Sequence, residues 1–399
     1  MTKQIQDAYI VAAVRTPVGK APRGVFKNIR PDDMLAHVLK AAIAKVPGLD
    51  PHDIADVIVG CAMPEGEQGM NVARIGVLLA NLPDGVPGVT INRFCASGLQ
   101  AVSMAADRIR TGDDDVVIAA GTESMSMVPM MGNKIAINKN VFLNNDHIGI
   151  AYGMGITAEN VANQWKISRE AQDQFALASH QKAAAAIAAG YFSEEISPFE
   201  IEAATPDLNS GAISYRKKIV SQDEGPRSES TIESLAKLKT VFAARGSVTA
   251  GNSSQMSDGA GAVMLMSERA LKKYNVTPLA KFHGFAVAGV PAEVMGIGPI
   301  KAIPKVLALA GITQDDLDWI ELNEAFAAQA LAVAQTLALN PDKINPQGGA
   351  IALGHPLGAT GAIRVATLIH GMRRTRQKWG MVTMCIGTGM GAAGVFEIL

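Results

Sequence analysis

Cysteine is scarce in this chain of 399 residues, which contains only Cys61, Cys95 and Cys385. An odd set with no CxxC pair predicts neither a disulfide framework nor a structural zinc site, and no other metal site is expected. Reduced thiols in a reducing compartment are the expected state. Each thiol is then available either for chemistry or for packing inside a core.

Long apolar runs and long runs of one charge are also missing. The longest apolar stretches, such as AAAAIAAG from Ala183, fall far short of the roughly 20 residues that span a bilayer, so no membrane span is expected. The formal net charge is −1 and there is no long basic run, which argues against nucleic acid as a partner. With 48% hydrophobic and 18% charged residues, the composition is typical of a packed enzyme of two or three domains.

Neither end of the sequence resembles a targeting signal. The N-terminal MTKQIQDAYIVAAVRTP has an apolar run of about six residues before Arg15, too short for a secretory signal, and Asp7 argues against a mitochondrial presequence. The C-terminal VFEIL is not a peroxisomal signal. We therefore expect a cytoplasmic protein.

Strand-like runs alternate with helical stretches along the chain, which predicts α/β layers with buried sheets. Two pairs of segments also repeat. PGLDPHDIADVIVG from Pro47 resembles AGITQDDLDWIELN from Ala310, and SGLQA from Ser97 resembles TGAIR from Thr360. Both pairs share one offset, 360 − 97 = 263. Small-residue turns can look alike by chance, but two matches in one register favour an internal duplication.

The repeat also predicts where the halves of the chain begin and end. Gly121 and Gly387 both precede threonine, but their offset implies a slip of three residues, since 387 − 121 = 266. The stretch between the repeats differs in character, and we interpret it as an insertion that covers a site. The predicted units are a first half of residues 1–123 and 249–271, an inserted loop domain of residues 124–248, and a second half of residues 272–399.

Helix signals inside the insertion are clear. Ser168 is a predicted N-cap, and Gly190 is the predicted stop of the same helix. Ser230 with Glu233 is typical of a capping box at the start of a second helix.

Cys95 lies in NRFCASGLQA, between an extended run and a helical pattern. Free N–H groups and the helix dipole favour an anion at a helix N-terminus, so this position could lower the pKa of the thiol from about 8.5 to about 7. These residues alone are equally consistent with a nucleophile and with a small cysteine that packs a helix start.

His355 lies in GGAIALGHPLGATGA, which the repeat makes the counterpart of the Cys95 loop. Its glycines let backbone segments approach closely, and Pro356 stiffens the turn. Two related strand-to-helix corners would bring an imidazole base and a thiol together. A structural histidine in a Gly-Pro turn is the alternative.

Further polar positions lie at the ends of predicted strands. Cys385 precedes the glycine-rich GTGMGA, whose N–H groups could form an oxyanion hole, and is otherwise a core thiol. Too few residues follow Gly391 for the helix that a dinucleotide-binding loop must open. Asn323 and Glu324 come where strand ends line a ligand crevice, so the amide could hold a water or a carbonyl oxygen. A helix cap is the alternative.

Together these stretches resemble the thiolase family along nearly the whole chain. NRFCASGLQA resembles its nucleophile motif, NEAFA its second motif, GHPLGATG its histidine motif and CIGTGMG its C-terminal motif. The resemblance implies an α/β thiolase fold, in which two duplicated halves form five αβαβα layers and a loop domain covers the coenzyme A site.

The resemblance also implies a role for each matching residue. Cys95 would be the acylated nucleophile, His355 its base, and Cys385 the group that exchanges a proton at the substrate α-carbon. Asn323, through a water, and His355 would stabilise the enolate, while the N–H groups of Cys95 and Gly387 would stabilise the tetrahedral intermediate. The residues that would line the substrate and the pantetheine of coenzyme A are Ser254, Phe242, Phe326 and Met154.

Two positions depart from the biosynthetic acetoacetyl-CoA thiolases of this family. Thr388 replaces the middle glycine of their CxGGGxG motif, although Gly387 is kept. Gly153 stands where those short-chain enzymes have a histidine, which predicts a roomier pocket. The Met-rich SMSMVPMM from Ser124 could line an adaptable acyl tunnel or pack in a dimer interface.

We therefore expect an acetyl-CoA C-acyltransferase of fatty acid β-oxidation, which cleaves 3-oxoacyl-CoA with CoA to acetyl-CoA and a shortened acyl-CoA through acyl-Cys95. An acetoacetyl-CoA thiolase and a non-catalytic acyl-CoA-binding protein are the alternatives. A ketoacyl synthase would show two histidines where this chain has Asn323 and Cys385. CoA and acyl-CoA are substrates, and no permanently bound cofactor is expected. The resemblance implies a homodimer or homotetramer, and it leaves association with a hydratase–dehydrogenase subunit open.

Overall fold

The computed structural model describes residues 5–143, 145–206 and 210–399, so the first four residues of the N-terminal segment lie outside it. The strands are β1 Ala8–Arg15, β2 Gly19–Lys20, β3 Asp56–Gly60, β4 Gly88–Ile91, β5 Val116–Ser124, β6 Phe199–Pro206, β7 Ile213–Val220, β8 Ser257–Met266, β9 Ala280–Gly289, β10 Trp319–Leu322, β11 Trp379–Ile386 and β12 Met390–Ile398. The α-helices are α1 Pro31–Ala44, α2 Val72–Leu79, α3 Ser97–Arg110, α4 Met154–Gln164, α5 Arg169–Ala188, α6 Ile232–Ala236, α7 Glu268–Tyr274, α8 Gly298–Ala310, α9 Ala327–Thr336, α10 Ala350–Leu353 and α11 Leu357–Thr375. None of the helices described is both long and apolar enough to cross a membrane.

Most of the strands join one mixed sheet with an internal repeat. Neighbouring strands follow the order β10-β11-β12-β9-β1-β8-β5-β3-β4, and β2 pairs with β8. The series β3, β5, β8, β1 corresponds to β10, β11, β12, β9, because each begins with a parallel pair and continues with two antiparallel pairs. The two series meet where residues 8–10 of β1 pair with residues 280–282 of β9.

The strand register confirms the duplication. Asp56 lies opposite Val117 in the first half, and Trp319 lies opposite Gly380 in the second, so both partners are offset by the same 263 positions, since 319 − 56 = 263. The predicted slip at the Gly-Thr pairs is wrong. Gly121 lies inside β5, opposite Gly60, whereas Gly387 follows the end of β11, so the two glycines are not equivalent.

Apolar side chains cover both faces of this sheet, because successive residues of a strand point to opposite sides. In β3, Val57 packs with α1 and α2 on one face, while Ile58 packs with α3 and α11 on the other. In β10, Trp319 also faces the α3 and α11 layer, while Ile320 packs with α8 and α9. The order of layers is therefore αβαβα, as predicted, with α3 and α11 in the middle.

Glycine allows the two middle helices to touch. A Cβ added to Gly98 in α3 would lie 2.8 Å from the carbonyl oxygen of Gly358, and one added to Gly361 in α11 would lie 2.0 Å from the nitrogen of Leu99. A larger residue would force the backbones apart at either position. Because α3 follows Cys95 and α11 closely follows His355, this contact brings the starts of the two helices together.

The inserted stretch confirms one helix signal and corrects another. Ser168 accepts the N–H of Ala171 and caps α5. The capping box of α6 uses Thr231 and Ser234, so its prediction at Ser230 and Glu233 is wrong. The chain is still extended at Thr231, with φ −128° and ψ 162°, so this hydroxyl reaches the free N–H groups of the first turn. The predicted domain limits stay a prediction.

Arg15 anchors the insertion to the central layers through a buried ionic network. Its guanidinium donates to Glu195 at 2.6 Å and to both oxygens of Asp223, at 2.6 and 2.9 Å. The hydroxyl of Thr367 in α11 also donates to Glu195. The three charged groups are all buried, so each depends on the others for hydrogen bonds.

We expect Arg15→Met to lower the free energy of unfolding by about 3–5 kcal/mol, because it leaves two buried carboxylates without their cation. Chemical denaturation measures the change. The matched control is Lys217→Met, which breaks the exposed pair with Glu200 and should leave the denaturation midpoint essentially unchanged. Equal midpoints for the two variants would contradict the proposed importance of the buried network.

Candidate active site

Cys95 occupies a single 3-10 turn, Phe94–Ala96, between β4 and α3. Two side chains hold this corner in shape. Asn92 accepts the N–H of Phe94 at 2.7 Å, and the hydroxyl of Ser97 accepts the N–H of Arg93 at 2.8 Å. The sequence prediction of a strand-to-helix corner is confirmed, although the thiol precedes the helix by one short turn.

The structure does not give Cys95 the lowered pKa that a helix N-terminus could provide. Removal of the sulfur from bulk water raises the pKa of Cys95 to about 11, although the backbone N–H groups of Gly387 and of Cys95 itself both point at the sulfur and act in the opposite direction. Burial outweighs these donors because it penalises only the thiolate. The resting group is a neutral thiol that faces two convergent N–H donors.

We expect alkylation of Cys95 by iodoacetamide in the free protein to accelerate about tenfold per pH unit between about pH 7 and pH 9. The raised pKa lies above this range, so the thiolate fraction grows with pH and does not level off. Mass spectrometry of the modified peptide gives the rate. A plateau below about pH 8 would show that the thiol is acidic in the folded protein.

Cys385 lies near the end of β11, beside the first thiol. It pairs with Gly391 of β12, is fully buried, and packs with Met154 and Phe326. Burial, followed by the nearby charge of an ionised Cys95, raises the pKa of Cys385 well above its usual range. This thiol therefore holds its proton until a strongly basic atom takes it.

His355 and Asn323 form a second pair. Asn323 directly follows β10, where its N–H donates to Thr383 of the neighbouring strand β11, at 2.9 Å. Its side-chain Nδ2 lies 3.3 Å from Nε2 of His355. The backbone N–H of His355 donates to the hydroxyl of Ser257 at 3.1 Å, which holds the loop before α11 in place. Asn323 and Cys385 thus lie near the ends of adjacent parallel strands, as predicted for a crevice.

Burial lowers the pKa of His355 to about 3, and the positive charge of Arg364 acts in the same direction. The imidazole is therefore neutral, and one ring nitrogen is a free base. Nδ1 lies 2.7 Å from the hydroxyl of Thr360, while Nε2 faces the amide donor of Asn323. We assign the proton to Nδ1 and the lone pair to Nε2, which makes Nε2 the basic atom.

Thr360 is a functional position that the sequence did not reveal. It was visible only as part of the repeat TGAIR, and its spacing of five residues from His355 places it on the first turns of α11. The amide donor of Asn323 assigns the lone pair to Nε2, and the hydroxyl of Thr360 supports this tautomer of His355 by accepting the proton of Nδ1.

We expect Thr360→Val to reduce kcat by about tenfold to a hundredfold, the equivalent of a lost buried hydrogen bond of about 1–3 kcal/mol. Thr360→Ser keeps the hydroxyl and should retain most of the activity. Steady-state kinetics on both variants, with thermal melting to check folding, measures the effect. A slow serine variant with an unchanged melting temperature would contradict the tautomer role.

One side-chain atom of Asn323 is left without a hydrogen-bond partner in the described part of the chain. Its Oδ1 is buried, and it has no hydrogen-bond partner among the residues the structure describes. A buried acceptor without a partner is costly unless a water or a substrate group donates to it. This atom therefore fits the expectation that Asn323 holds a water.

Cys95 opens into an apolar cavity of about 270 Å³. Met130 and Met131, from the Met-rich run, line it together with Ile135 and Ile137. Gly387 and Met154 also line it, so the cavity lies against the predicted oxyanion donor. Of the two alternatives for the methionines, this placement favours the acyl tunnel. A Cβ added to Gly153 would meet nothing within 4 Å, in keeping with the expected extra room.

The predicted pantetheine residues cluster next to Met154, which also lines the Cys95 cavity. The rings of Phe242 and Phe326 meet edge to face with centroids 6.2 Å apart. Phe242 packs on Gly155, next to Met154, and the N–H of Ser254 donates to Ala325 at 2.9 Å. A neighbouring cleft of about 230 Å³, missed by the sequence, is lined by His180, Arg227, Ser230, Ser234 and Gln255 together with apolar residues.

Glu123 is a second residue that the sequence missed. Its buried carboxylate accepts the N–H groups of Ala62 at 2.7 Å, of Met63 at 3.2 Å and of Gly358 at 2.8 Å. Met63 lines the Cys95 cavity, and Gly358 lies in the first turn of α11. Glu123 therefore ties one wall of the cavity to the helix that follows His355. Among the described residues, no group of three or more His, Cys, Asp or Glu is placed to hold a metal ion.

Comparison with known proteins covers nearly the whole chain. The thiolase N-terminal domain family matches residues 8–269, and the thiolase C-terminal domain family matches residues 276–398. A 3-ketoacyl-CoA thiolase of Bacillus subtilis (strain 168) is 49% identical over 395 residues, which are 99% of this chain and 100% of that protein. The peroxisomal 3-ketoacyl-CoA thiolase 5 of Arabidopsis thaliana is 47% identical over 394 residues, 98% of this chain and 85% of that one.

Solved structures agree with these matches. The crystal structure of the Bacillus anthracis acetyl-CoA acetyltransferase superposes with a TM-score of 0.89 and 39% identity, and covers 100% of both chains. Fold, ordered motifs and full-length relatives lead to one conclusion: the chain belongs to the thiolase family.

Proposed function

We propose that this chain is a 3-ketoacyl-CoA thiolase of fatty acid β-oxidation, which cleaves 3-oxoacyl-CoA with CoA to acetyl-CoA and a shortened acyl-CoA. The observation that carries the proposal is a thiol at the mouth of an apolar cavity, with a second, fully buried thiol beside it. Cleavage of a 3-oxoacyl thioester needs attack at one carbon and protonation of the released carbanion at another. One sulfur cannot serve both steps.

The first half-reaction forms the acyl-enzyme. Nε2 of His355 takes the proton of Cys95, and the sulfur attacks the C3 carbonyl, whose oxygen is held by the N–H groups of Cys95 and Gly387. The C2–C3 bond then breaks, and its electron pair passes to the enolate of acetyl-CoA. Asn323, through a water, and His355 stabilise that enolate, and the thiol of Cys385 protonates C2. The proton on His355 then returns to the sulfur of Cys385.

The second half-reaction transfers the acyl group. Nε2 of His355 takes the proton of the CoA thiol, and the CoA sulfur attacks the acyl thioester. The Cys95 sulfur leaves and regains a proton from His355. Because the pKa of His355 is about 3, the base is free at any physiological pH. A base with so low a pKa holds the transferred proton only transiently, so the imidazolium of His355 returns its proton rapidly.

The pantetheine of coenzyme A has to extend from the protein surface to the thiol of Cys95. In the proposed binding mode, Ser254, Phe242, Phe326 and Met154 line the pantetheine. The neighbouring cleft offers a guanidinium from Arg227 and hydroxyls from Ser230 and Ser234, a set that suits a phosphorylated tail. CoA and acyl-CoA are substrates here, and the mechanism uses no bound cofactor.

A coupled assay of thiolysis tests the proposal. We expect 3-oxooctanoyl-CoA and 3-oxodecanoyl-CoA, with CoA, to yield acetyl-CoA and an acyl-CoA two carbons shorter. Acetoacetyl-CoA is the comparison substrate, because one of the solved structures with the same fold is an acetyl-CoA acetyltransferase. Turnover of acetoacetyl-CoA alone would overturn the proposal in favour of an acetoacetyl-CoA thiolase. Binding without turnover of any of them would favour an acyl-CoA-binding protein.

A homo-oligomer is part of the proposal. Strand β4 is a half-exposed edge strand immediately before the catalytic corner, and edge strands tend to pair with another chain. Apolar side chains are exposed on and around it, including Met70, Leu78, Leu79 and Val89. Light scattering during size exclusion would distinguish a dimer or tetramer from a monomer. A cytoplasmic location and a hydratase–dehydrogenase partner stay predictions.

A further inference from the structure

One charged side chain lines the cavity that Cys95 opens into. Lys134 shares this wall with Met130, Met131, Ile135 and Ile137. The remaining lining residues of the described chain are apolar, glycine, cysteine or threonine, so Lys134 is the only lysine, arginine, aspartate or glutamate among them. A charged ammonium group is unfavourable in the wall of a tunnel that binds only unsubstituted hydrocarbon chains, because nothing in such a chain can pair with the charge.

Lys134 also has no anionic partner in the part of the chain that the structure describes. A nearby acidic side chain, Glu65, binds the backbone of this loop and not Lys134: its carboxylate accepts the N–H of Asn133 at 2.7 Å. Lys134 is exposed, and its flexible apolar stem suits the apolar wall that it lines, while the ammonium group at its tip stays in contact with water. Such a group can pair with an anion that enters along the acyl chain.

The geometry points to acyl chains that end in a carboxylate. Resting on the proposed function, we infer that the enzyme accepts ω-carboxy-3-oxoacyl-CoA substrates and that Lys134 binds their terminal carboxylate. The chemistry at the reacting end is unchanged: the C2–C3 bond breaks, acetyl-CoA leaves, and CoA takes the ω-carboxyacyl group from Cys95. The terminal carboxylate keeps its charge and atoms throughout.

The phosphates of CoA are the competing anions. The cleft that carries Arg227 and Ser234 shares no lining residue with the cavity that carries Lys134. A tail bound in that cleft leaves the Lys134 cavity to the acyl group. A carboxylate at the far end of the acyl chain is therefore the better match for Lys134.

The test compares 3-oxooctanedioyl-CoA with 3-oxooctanoyl-CoA, which differ only in the terminal carboxylate. We expect Lys134→Met to lower the ratio of their kcat/KM values about tenfold, and Lys134→Glu to lower it further, because one charge-assisted contact is lost or reversed. Lys139→Met is the matched control, since Lys139 is exposed on the same loop but does not line the cavity. Its ratio should equal that of the parent.

Four outcomes would overturn the inference. An unchanged ratio in both Lys134 variants would mean that no carboxylate binds there. An equal loss on both substrates, with a raised KM for CoA, would assign Lys134 to CoA phosphate instead. Failure of the parent enzyme to cleave either substrate would remove the proposed function and this inference with it, whereas cleavage of the neutral substrate alone would remove only the inference.

Discussion

Cys95→Ala abolishes thiolysis, with an expected loss of about 10⁴-fold or more, because no other group in the proposed mechanism can carry the acyl chain. The parent enzyme, mixed with acetyl-CoA, should gain the mass of one acetyl group on the peptide that contains Cys95. Mass spectrometry of the intact protein and of its peptides detects this label. The variant should bind CoA with nearly unchanged affinity, because the proposed binding mode places the pantetheine and the tail against other residues.

Cys61 provides the matched control for this experiment. It is the third cysteine of the chain, it is fully buried, and its thiol contacts Glu123 rather than the cavity. Cys61→Ala should acquire the label at Cys95 as the parent does. Label on the Cys95→Ala variant equal to that on the parent would show that another nucleophile carries the acyl group.

Cys385→Ala separates the two thiols. Exchange of the α-protons of acetyl-CoA with deuterated water should fall by about 10²–10⁴-fold, the usual contribution of a general acid or base. Acetylation of Cys95 from acetyl-CoA should persist, because that step moves no proton at the α-carbon. Proton NMR follows the exchange, and the acyl label reports the other step in the same sample.

The split between exchange and acylation is the informative readout. A merely structural role for Cys385 would damage both steps together, because this thiol lies close to Cys95 and packs with Met154 and Phe326. Cys385→Ser keeps the size of the side chain, so it separates lost chemistry from lost packing. Full exchange in the alanine variant would remove Cys385 from the mechanism.

Much of the fold was predictable from local pattern. The shared offset between the SGLQA and TGAIR segments predicted two related halves, and the strand register repeats with the same offset. Alternating strand and helix patterns predicted α/β layers with buried sheets, whereas the five-layer order αβαβα was implied only by the resemblance to the thiolase family. Turn chemistry near Ser230 was less certain, because adjacent hydroxyls compete for one cap and only the backbone angles at Thr231 decide between them.

The electrostatics of the site could not be predicted from sequence. The corner position of Cys95 suggested an acidic thiol, but the sequence does not show how far the surrounding residues remove the sulfur from bulk water. The same limit applies to Thr360 and Glu123, which reach His355 and the cavity wall through contacts between distant segments. Composition did not set Lys134 apart from other surface lysines, because its position on the cavity wall depends on the path of the loop.

The shared middle layer has a consequence for how the chain acquires its structure. Helices α3 and α11 come from opposite halves, yet both cover the inner faces of both halves of the sheet. A half produced alone would keep one helix and leave part of its inner strand surface open to water. We therefore expect fragments cut near residue 272 to be insoluble apart and to recover order only when mixed. Each of the two repeated halves therefore depends on the other to complete its fold, and neither can be lost without the other.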